Sequence, residues 1–124
     1  MTKRSVQVLI KDLEVLARIG IHGHEQGKPQ PVRINVWLDG EMEIGVDRLD
    51  NAIDYEAIAG KIRGIIEAGH INLAETLAER IAAACFEDKR VKRARVRVEK
   101  LHALPGAEAA GVEIDREGHY FSAP

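Results

Sequence analysis

Between Asp54 and Cys85 the chain carries two helical stripes back to back, and the stretches on either side alternate with the period of a strand. In the first stripe Ile58, Ile62, Ile65 and Ile66 sit at i, i+4, i+7 and i+8, with Asp54 placed to cap the start and Gly69 to close the end. In the second, Leu73, Leu77, Ile81 and Cys85 recur every four residues, and alanines at 74, 78, 82, 83 and 84 allow close packing. With the helices adjacent and the remaining connections hairpin-like, the order β-β-α-α-β-β predicts an α+β fold. Its sheet has four mainly antiparallel strands, with both helices on one face.

The strand stretches carry their own detail. Val6, Val8 and Ile10 alternate with polar residues, and after Lys11-Asp12 the alternation resumes with flipped parity as Leu13, Val15, Ala17 and Ile19, which predicts a bulge or bend. Val32, Ile34, Val36 and Leu38 make the apolar face of a second strand ending near Asp39-Gly40. Trp37 shares the other face with Arg33 and Asn35, so it is either partly exposed or covered by another subunit. Residues 40 to 53 read as a connection. In VKRARVRVEK, residues 91 to 100, Val91, Arg93, Arg95, Arg97 and Glu99 fall on one face; Lys92, Ala94, Val96, Val98 and Lys100 fall on the other. A turn around Pro105-Gly106 leads to a last strand near Gly111 to Arg116, with Val112 and Ile114 facing in. Such a sheet keeps one face and two edges open. Closing several copies into a barrel would remove the edges, so a homo-oligomer is expected.

The 124 residues make one domain, with a core from about residue 5 to 116; 45% apolar and 31% charged residues describe an ordinary globular protein. A net charge of -2 provides no broad attraction to nucleic acid or an anionic membrane. The basic run from Lys89 to Arg97 is broken by Val91, Ala94 and Val96 and reads as a solvated strand face ahead of a phosphate patch. A single cysteine, Cys85, rules out an internal disulfide and fits a reducing compartment. No apolar run approaches a membrane span, and MTKRSVQV lacks the marks of a signal peptide, so the expected address is the cytoplasm.

Candidate chemistry collects in a few places. Lys100 ends the small apolar face of its strand, where loss of hydration would disfavour its charged form and suit it to act as a base; a snorkelling strand-end lysine is the plain alternative. The loop GIHGHEQGKPQP, residues 20 to 31, holds His22, His24, Glu25 and Gln30. His22 and His24 would project together from a strand as a metal pair, but His70, His102, His119 and Cys85 complete no zinc spacing, so no metal is expected. Glu25 and Gln30 are better placed to meet a polar ligand. Glu75 either closes a capping box on Asn72 or, lying off the apolar stripe at a helix N-terminus, holds a ligand with paired N–H donors. Tyr55, at the start of the first helix, is an acid, a stacking platform or a plain helix-start aromatic.

GIHGHEQGKPQPVRINVWL, DRLDNAIDYEAI, NLAETLAERIA and VRVEK, in this order and spacing, resemble the dihydroneopterin aldolase family of folate biosynthesis over residues 5 to 116. The resemblance implies the tunnelling fold, whose subunits form a barrel, usually as two stacked tetramers with sites between neighbours. It implies that Glu75 anchors the 2-amino and N3–H groups of a pterin in a pocket lined by Leu73. Lys100 would transfer protons, Glu25 would organise the site, and Tyr55 would arrive from the neighbouring subunit to handle a substrate proton, with Gln30 in support. No cofactor is implied. The expected reaction splits 7,8-dihydroneopterin into 6-hydroxymethyl-7,8-dihydropterin and glycolaldehyde, with side-chain epimerase activity as a companion.

One departure keeps a second activity open. The family commonly follows its lysine with proline, whereas Lys100-Leu101-His102-Ala103 looks more like the related dihydroneopterin triphosphate epimerases. The Glu25 loop and the NLAETLAERIA helix favour the aldolase. Two other classes stand further off. The zinc-dependent 6-pyruvoyltetrahydropterin synthases share the fold but need a histidine upstream of His22, and none precedes it. A pterin-binding oligomer without turnover is the non-enzymatic alternative.

Overall fold

A computed structural model of the chain describes residues 2–118. It contains β1 (Lys3–Arg18), β2 (Pro29–Glu43), α1 (Tyr55–Glu67), α2 (Ala74–Cys85), β3 (Arg93–Lys100) and β4 (Ala110–Glu117), with single 3-10 turns at Gly23–Glu25 and Leu49–Asn51. The four strands pair antiparallel in chain order, and the helices lie on one face, α1 against β1 and α2 over β3 and β4. This is the α+β architecture that the two periodicities predict.

The core follows the stripes. Val32, Ile34, Val36 and Leu38 of β2 and Ala94, Val96 and Val98 of β3 are buried against Ile58, Ile62, Leu77 and Ile81 of the helices. Each large side chain so buried contributes roughly 1.5–3 kcal/mol. Cys85 belongs to the same cluster, and burial pushes its thiol up to about 12, so it stays a neutral core residue. Val112 and Ile114 of β4 pack on the edge of this core. No helix among the described residues is long and apolar enough to cross a membrane.

The parity flip in β1 is a bulge. Pairing steps from Ile10↔Val36 to Leu13↔Ile34, leaving Lys11 and Asp12 opposite Asn35 alone. Asp12 takes φ 56°, a conformation aspartate tolerates, and its N–H donates to Asn35 Oδ1 at 2.7 Å while Asn35 Nδ2 donates to Asp12 Oδ1 at 3.2 Å. The buried amide of Asn35 is thereby satisfied on the strand face away from the helices.

Three strand limits differ from the sequence reading: β2 already starts at Pro29, inside the expected loop, so Gln30 lies on a strand paired with Ala17. β2 runs past Asp39-Gly40 to Glu43, because Gly40 marks a close approach: a Cβ there would lie 2.7 Å from Ile53 and 2.9 Å from the Arg90 carbonyl oxygen. β3 begins at Arg93, since the Val91 N–H turns back to the Asp88 carbonyl at 3.1 Å. On the open face Trp37 is partly exposed, with the Arg95 guanidinium 4.4 Å and the Arg97 guanidinium 5.5 Å from its ring centroid. Arg93 pairs with Asp115 and Arg97 with Glu113, each at 2.7 Å, so the basic run is a cross-strand charge ladder.

Candidate active site

The site begins where β1 ends. Ile71, in the connection between the helices, donates its N–H to the Arg18 carbonyl and accepts the Gly20 N–H, both at 3.0 Å. Those bonds form a single parallel bridge between Ile19 and Ile71. Beyond Gly20 the chain turns through Gly23–Glu25 and drops the Glu25 side chain back onto the Gly20 backbone. Gly20 has φ +134°, and a Cβ there would overlap the Glu25 carboxylate, so the position requires glycine twice over.

Three donors converge on that carboxylate. The His22 N–H reaches Glu25 Oε1 at 3.3 Å; Gln30 Nε2 reaches Oε2 at 3.0 Å while also donating to the Ile19 carbonyl at 2.7 Å. Lys100, at the end of β3 opposite Val32, donates from Nζ to Oε2 at 2.8 Å. Glu25 is 7% exposed, and its carboxyl is lowered to about 2, chiefly by the hydrogen bond from Lys100 and then by that from Gln30, against an opposing effect of burial. It therefore stays ionised at any physiological pH and serves as a fixed acceptor. The apolar rim expected around Lys100 is interrupted by this anion, so the site starts from an ion pair.

Beside the pair lies a hollow of about 250 Å³ lined by His24, Glu25, Lys28, Pro29, Gln30 and His102, among others. A larger groove of about 480 Å³ near Gln7, Asp39 and Lys92 contains no candidate residue. His22 and His24 stand on a 3-10 turn rather than a strand, with rings stacked 5.8 Å apart. The two rings do project side by side, but from a turn and not from the strand assumed for a metal pair. Among the described residues no group of three or more His, Cys, Asp or Glu is gathered as metal ligands, and His119 lies outside those residues.

Glu75 does not form the capping box with Asn72. Leu73 is the N-cap residue of α2 and no side chain caps the helix; the glutamate that returns a bond to the residue three before it is Glu25, on His22. Glu75 is exposed and without a partner among the described residues, and Leu73 is 44% exposed. Both sit at the Lys100 end of the sheet: Ile71 is stitched to Arg18, Ala17 pairs with Gln30, and Val32 pairs with Lys100. Tyr55 is at the other end, exposed, two residues beyond the Ile53 that packs on Gly40. Gly40 and Val32 are eight residues apart on β2, roughly 27 Å. One chain thus brings Glu25, Gln30 and Lys100 into contact, sets Leu73 and Glu75 near them, and leaves Tyr55 remote.

The sequence reading missed what holds the loop. His70 Nδ1 accepts the Gly27 N–H at 3.2 Å and its Nε2 lies 2.8 Å from the Gly20 carbonyl, to which Gln26 Nε2 also donates at 3.0 Å. No spacing signals these contacts, although a glycine directly after a strand and before a polar loop marks Gly20 as a place to look.

Comparison with known proteins agrees with this fold. A family model described as FolB, dihydroneopterin aldolase, matches residues 8–115. A dihydroneopterin triphosphate 2'-epimerase of Pseudomonas aeruginosa is 30% identical over 115 residues, covering 91% of this chain and 92% of its own length. A dihydroneopterin aldolase of Streptomyces coelicolor is 34% identical over 86 residues, covering 65% of this chain and 72% of its own. The chain spans only 18% of the folic acid synthesis protein FOL1 of Dictyostelium discoideum, at 28% identity. Among solved structures, a Burkholderia thailendensis dihydroneopterin aldolase bound to guanine superposes with TM-score 0.80 at 31% identity, covering 91% of each chain. The Escherichia coli dihydroneopterin aldolase in complex with neopterin superposes with TM-score 0.78 at 25% identity, covering 90% of this chain and 98% of that one. The match over residues 8–115, on a fold and an end-of-sheet site of this kind, places the chain in the dihydroneopterin aldolase family.

Proposed function

We propose that the chain is a lyase of folate biosynthesis that cleaves 7,8-dihydroneopterin into 6-hydroxymethyl-7,8-dihydropterin and glycolaldehyde. The observation that carries the reading is the Lys100–Glu25–Gln30 cluster, assembled from the ends of three separate segments beside a hollow. Guanine and neopterin, bound in the two related structures, both present an amino group next to a ring N–H. The carboxylate of Glu75, without a partner among the described residues, offers two acceptors in one plane to such an edge, over the α2 N-terminus, with Leu73 against the ring.

The chemistry needs one acid–base group and an electron sink. Removing the proton of the 2′-hydroxyl lets the C1′–C2′ bond break and glycolaldehyde leave; the bond's electrons pass through C6 to N5, which takes up a proton. Moving a proton from N5 to C1′ then restores the N5=C6 imine and leaves the hydroxymethyl product. Lys100, directly or through a water, is the group that carries these protons. Glu25, held ionised at neutral pH, aims the amine and is not one of the groups that exchange protons with the substrate. Gln30 locks the carboxylate to the Ile19 backbone.

Tyr55 enters from a neighbouring copy in a homotetramer or homo-octamer. Its distance from Lys100 within one chain supports this, as does an open sheet face on which Leu9, opposite Trp37, is 49% exposed and Leu16, opposite Pro31, is 69% exposed. A monomer by light scattering would remove that part of the account. A cytoplasmic location goes with such a role.

A second reading, side-chain epimerisation of dihydroneopterin or its triphosphate, is favoured by Lys100-Leu101-His102 and by the Pseudomonas aeruginosa relative. Both reactions share the cleavage step, after which the fragments either separate or recombine. Incubation with 7,8-dihydroneopterin is expected to yield glycolaldehyde and hydroxymethyl product in equal amounts. Epimer without cleavage would make the epimerase the main activity.

A further inference from the structure

We propose that His70 is a positioning residue for the Lys100–Glu25 pair, closing the loop that presents Glu25 by joining its two ends through one imidazole ring. The proposal rests on the reading of that pair as the proton-moving part of the site. His70 comes from the connection between the helices, 50 residues from Gly20 and 43 from Gly27. Its two nitrogens meet groups of opposite demand. The Gly27 N–H can only donate, so Nδ1 accepts it; the Gly20 carbonyl can only accept, so Nε2 carries the proton and donates. The neutral Nε2–H tautomer satisfies both, and no other form does.

The consequence for the site follows from where those ends lie. Gly20 is the residue whose bare Cα makes room for the Glu25 carboxylate, and Gly27 is two residues beyond it. Fixing both fixes the turn between them, and hence the direction in which Glu25 meets Lys100 and Gln30. The connection itself does not depend on the ring: Ile71 is held to Arg18 and Gly20 by backbone bonds. Removing the imidazole therefore loosens the Glu25 loop while leaving the start of α2, with Leu73 and Glu75, in place. A loss in the catalytic step without a loss in ring binding is the signature to look for.

The test uses the intact chain. H70F keeps a ring of similar bulk and loses both hydrogen bonds; H70N puts its amide oxygen near the Nδ1 position, where it accepts the Gly27 N–H, and leaves the Gly20 bond unmade. With two hydrogen bonds lost, kcat on dihydroneopterin is expected to fall about tenfold in H70F with KM within about twofold, and H70N, which regains one of them, to recover part of the loss. A readout without substrate separates this proposal from the assigned activity. By carboxyl-carbon NMR, Glu25 should titrate near 2 in the parent chain and move up toward the ordinary glutamate range in H70F, with partial return in H70N. If the parent chain turns over no pterin but this pattern holds, the positioning role stands and the activity falls. If Glu25 titrates alike in all three folded proteins, or H70F loses affinity and kcat together without rescue by H70N, His70 is a packing residue and the proposal is overturned.

Discussion

At the start of α1 the Asp54 carboxylate takes up two free helix N–H groups, from Glu56 at 3.0 Å and Ala57 at 3.3 Å. At the start of α2 the cap position is Leu73, no side chain reaches the free N–H groups, and the carboxylate of Glu75 points to no partner among the described residues. Both helices are of similar length and both are anchored by an apolar stripe. The difference is therefore local. One start is completed by its own chain and serves stability; the other is left incomplete, as the ligand role proposed for Glu75 requires. Departures from local rules are where function is to be sought, provided something else stabilises the element, and here the buried face of α2 does so.

The largest expected effect separates the two starts. Glu75→Gln removes the charge and one of two acceptors, and neopterin affinity should fall about 100-fold with the melting temperature unchanged. A lowered melting temperature with intact affinity would make Glu75 a structural group and erase the contrast. Gly20→Ala comes next, because its new methyl would overlap Glu25 and alanine disfavours the positive φ; it should cost about 2 kcal/mol of stability in chemical denaturation and most of the turnover. Asp54→Ala should cost about 1 kcal/mol, seen as a drop of a few degrees in melting temperature, with neopterin affinity as in the parent.

The smallest effect concerns acid. Glu25 has its folded-state carboxyl lowered to about 2, below the unfolded value of about 4.3, so its contribution to stability is complete above pH 5 and is lost as pH falls through the folded value. Down to pH 4 the loss is under about 1 kcal/mol, with the remainder following toward pH 2. Glu25→Gln should flatten that limb of the stability profile and Glu75→Gln should not. An unchanged acid limb in Glu25→Gln would show that the ion pair contributes nothing to the fold.

Much of this was legible in the residues. The isoleucine stripe of α1, the alternation in β3 and the parity flip at Lys11-Asp12 each report a local period, and local periods survive into the fold. Asp54 was legible for the same reason. Asn72 misled because its capping pattern is equally local, whereas the residue before it, Ile71, is pinned to Arg18 and Gly20 and the helix starts one residue later than the pattern allows. Gly40 misled in the opposite sense: it looks like a turn and is a strand residue lying under Ile53. Glu25 and Lys100 could be singled out one at a time by resemblance, but their contact spans 75 residues and depends on Gly20, His70 and the β2–β3 register. No spacing records such a contact.

The account reduces to a division of labour between a carboxylate that grips and an amine that moves protons. Neopterin affinity and glycolaldehyde release should be measured side by side in Glu75→Gln and Lys100→Ala. The account predicts that Glu75→Gln loses affinity, whereas Lys100→Ala binds neopterin as the parent does and releases glycolaldehyde at least 100-fold more slowly. Lys100→Ala that still cleaves dihydroneopterin at the parent rate, or Glu75→Gln that binds neopterin undiminished, would contradict it.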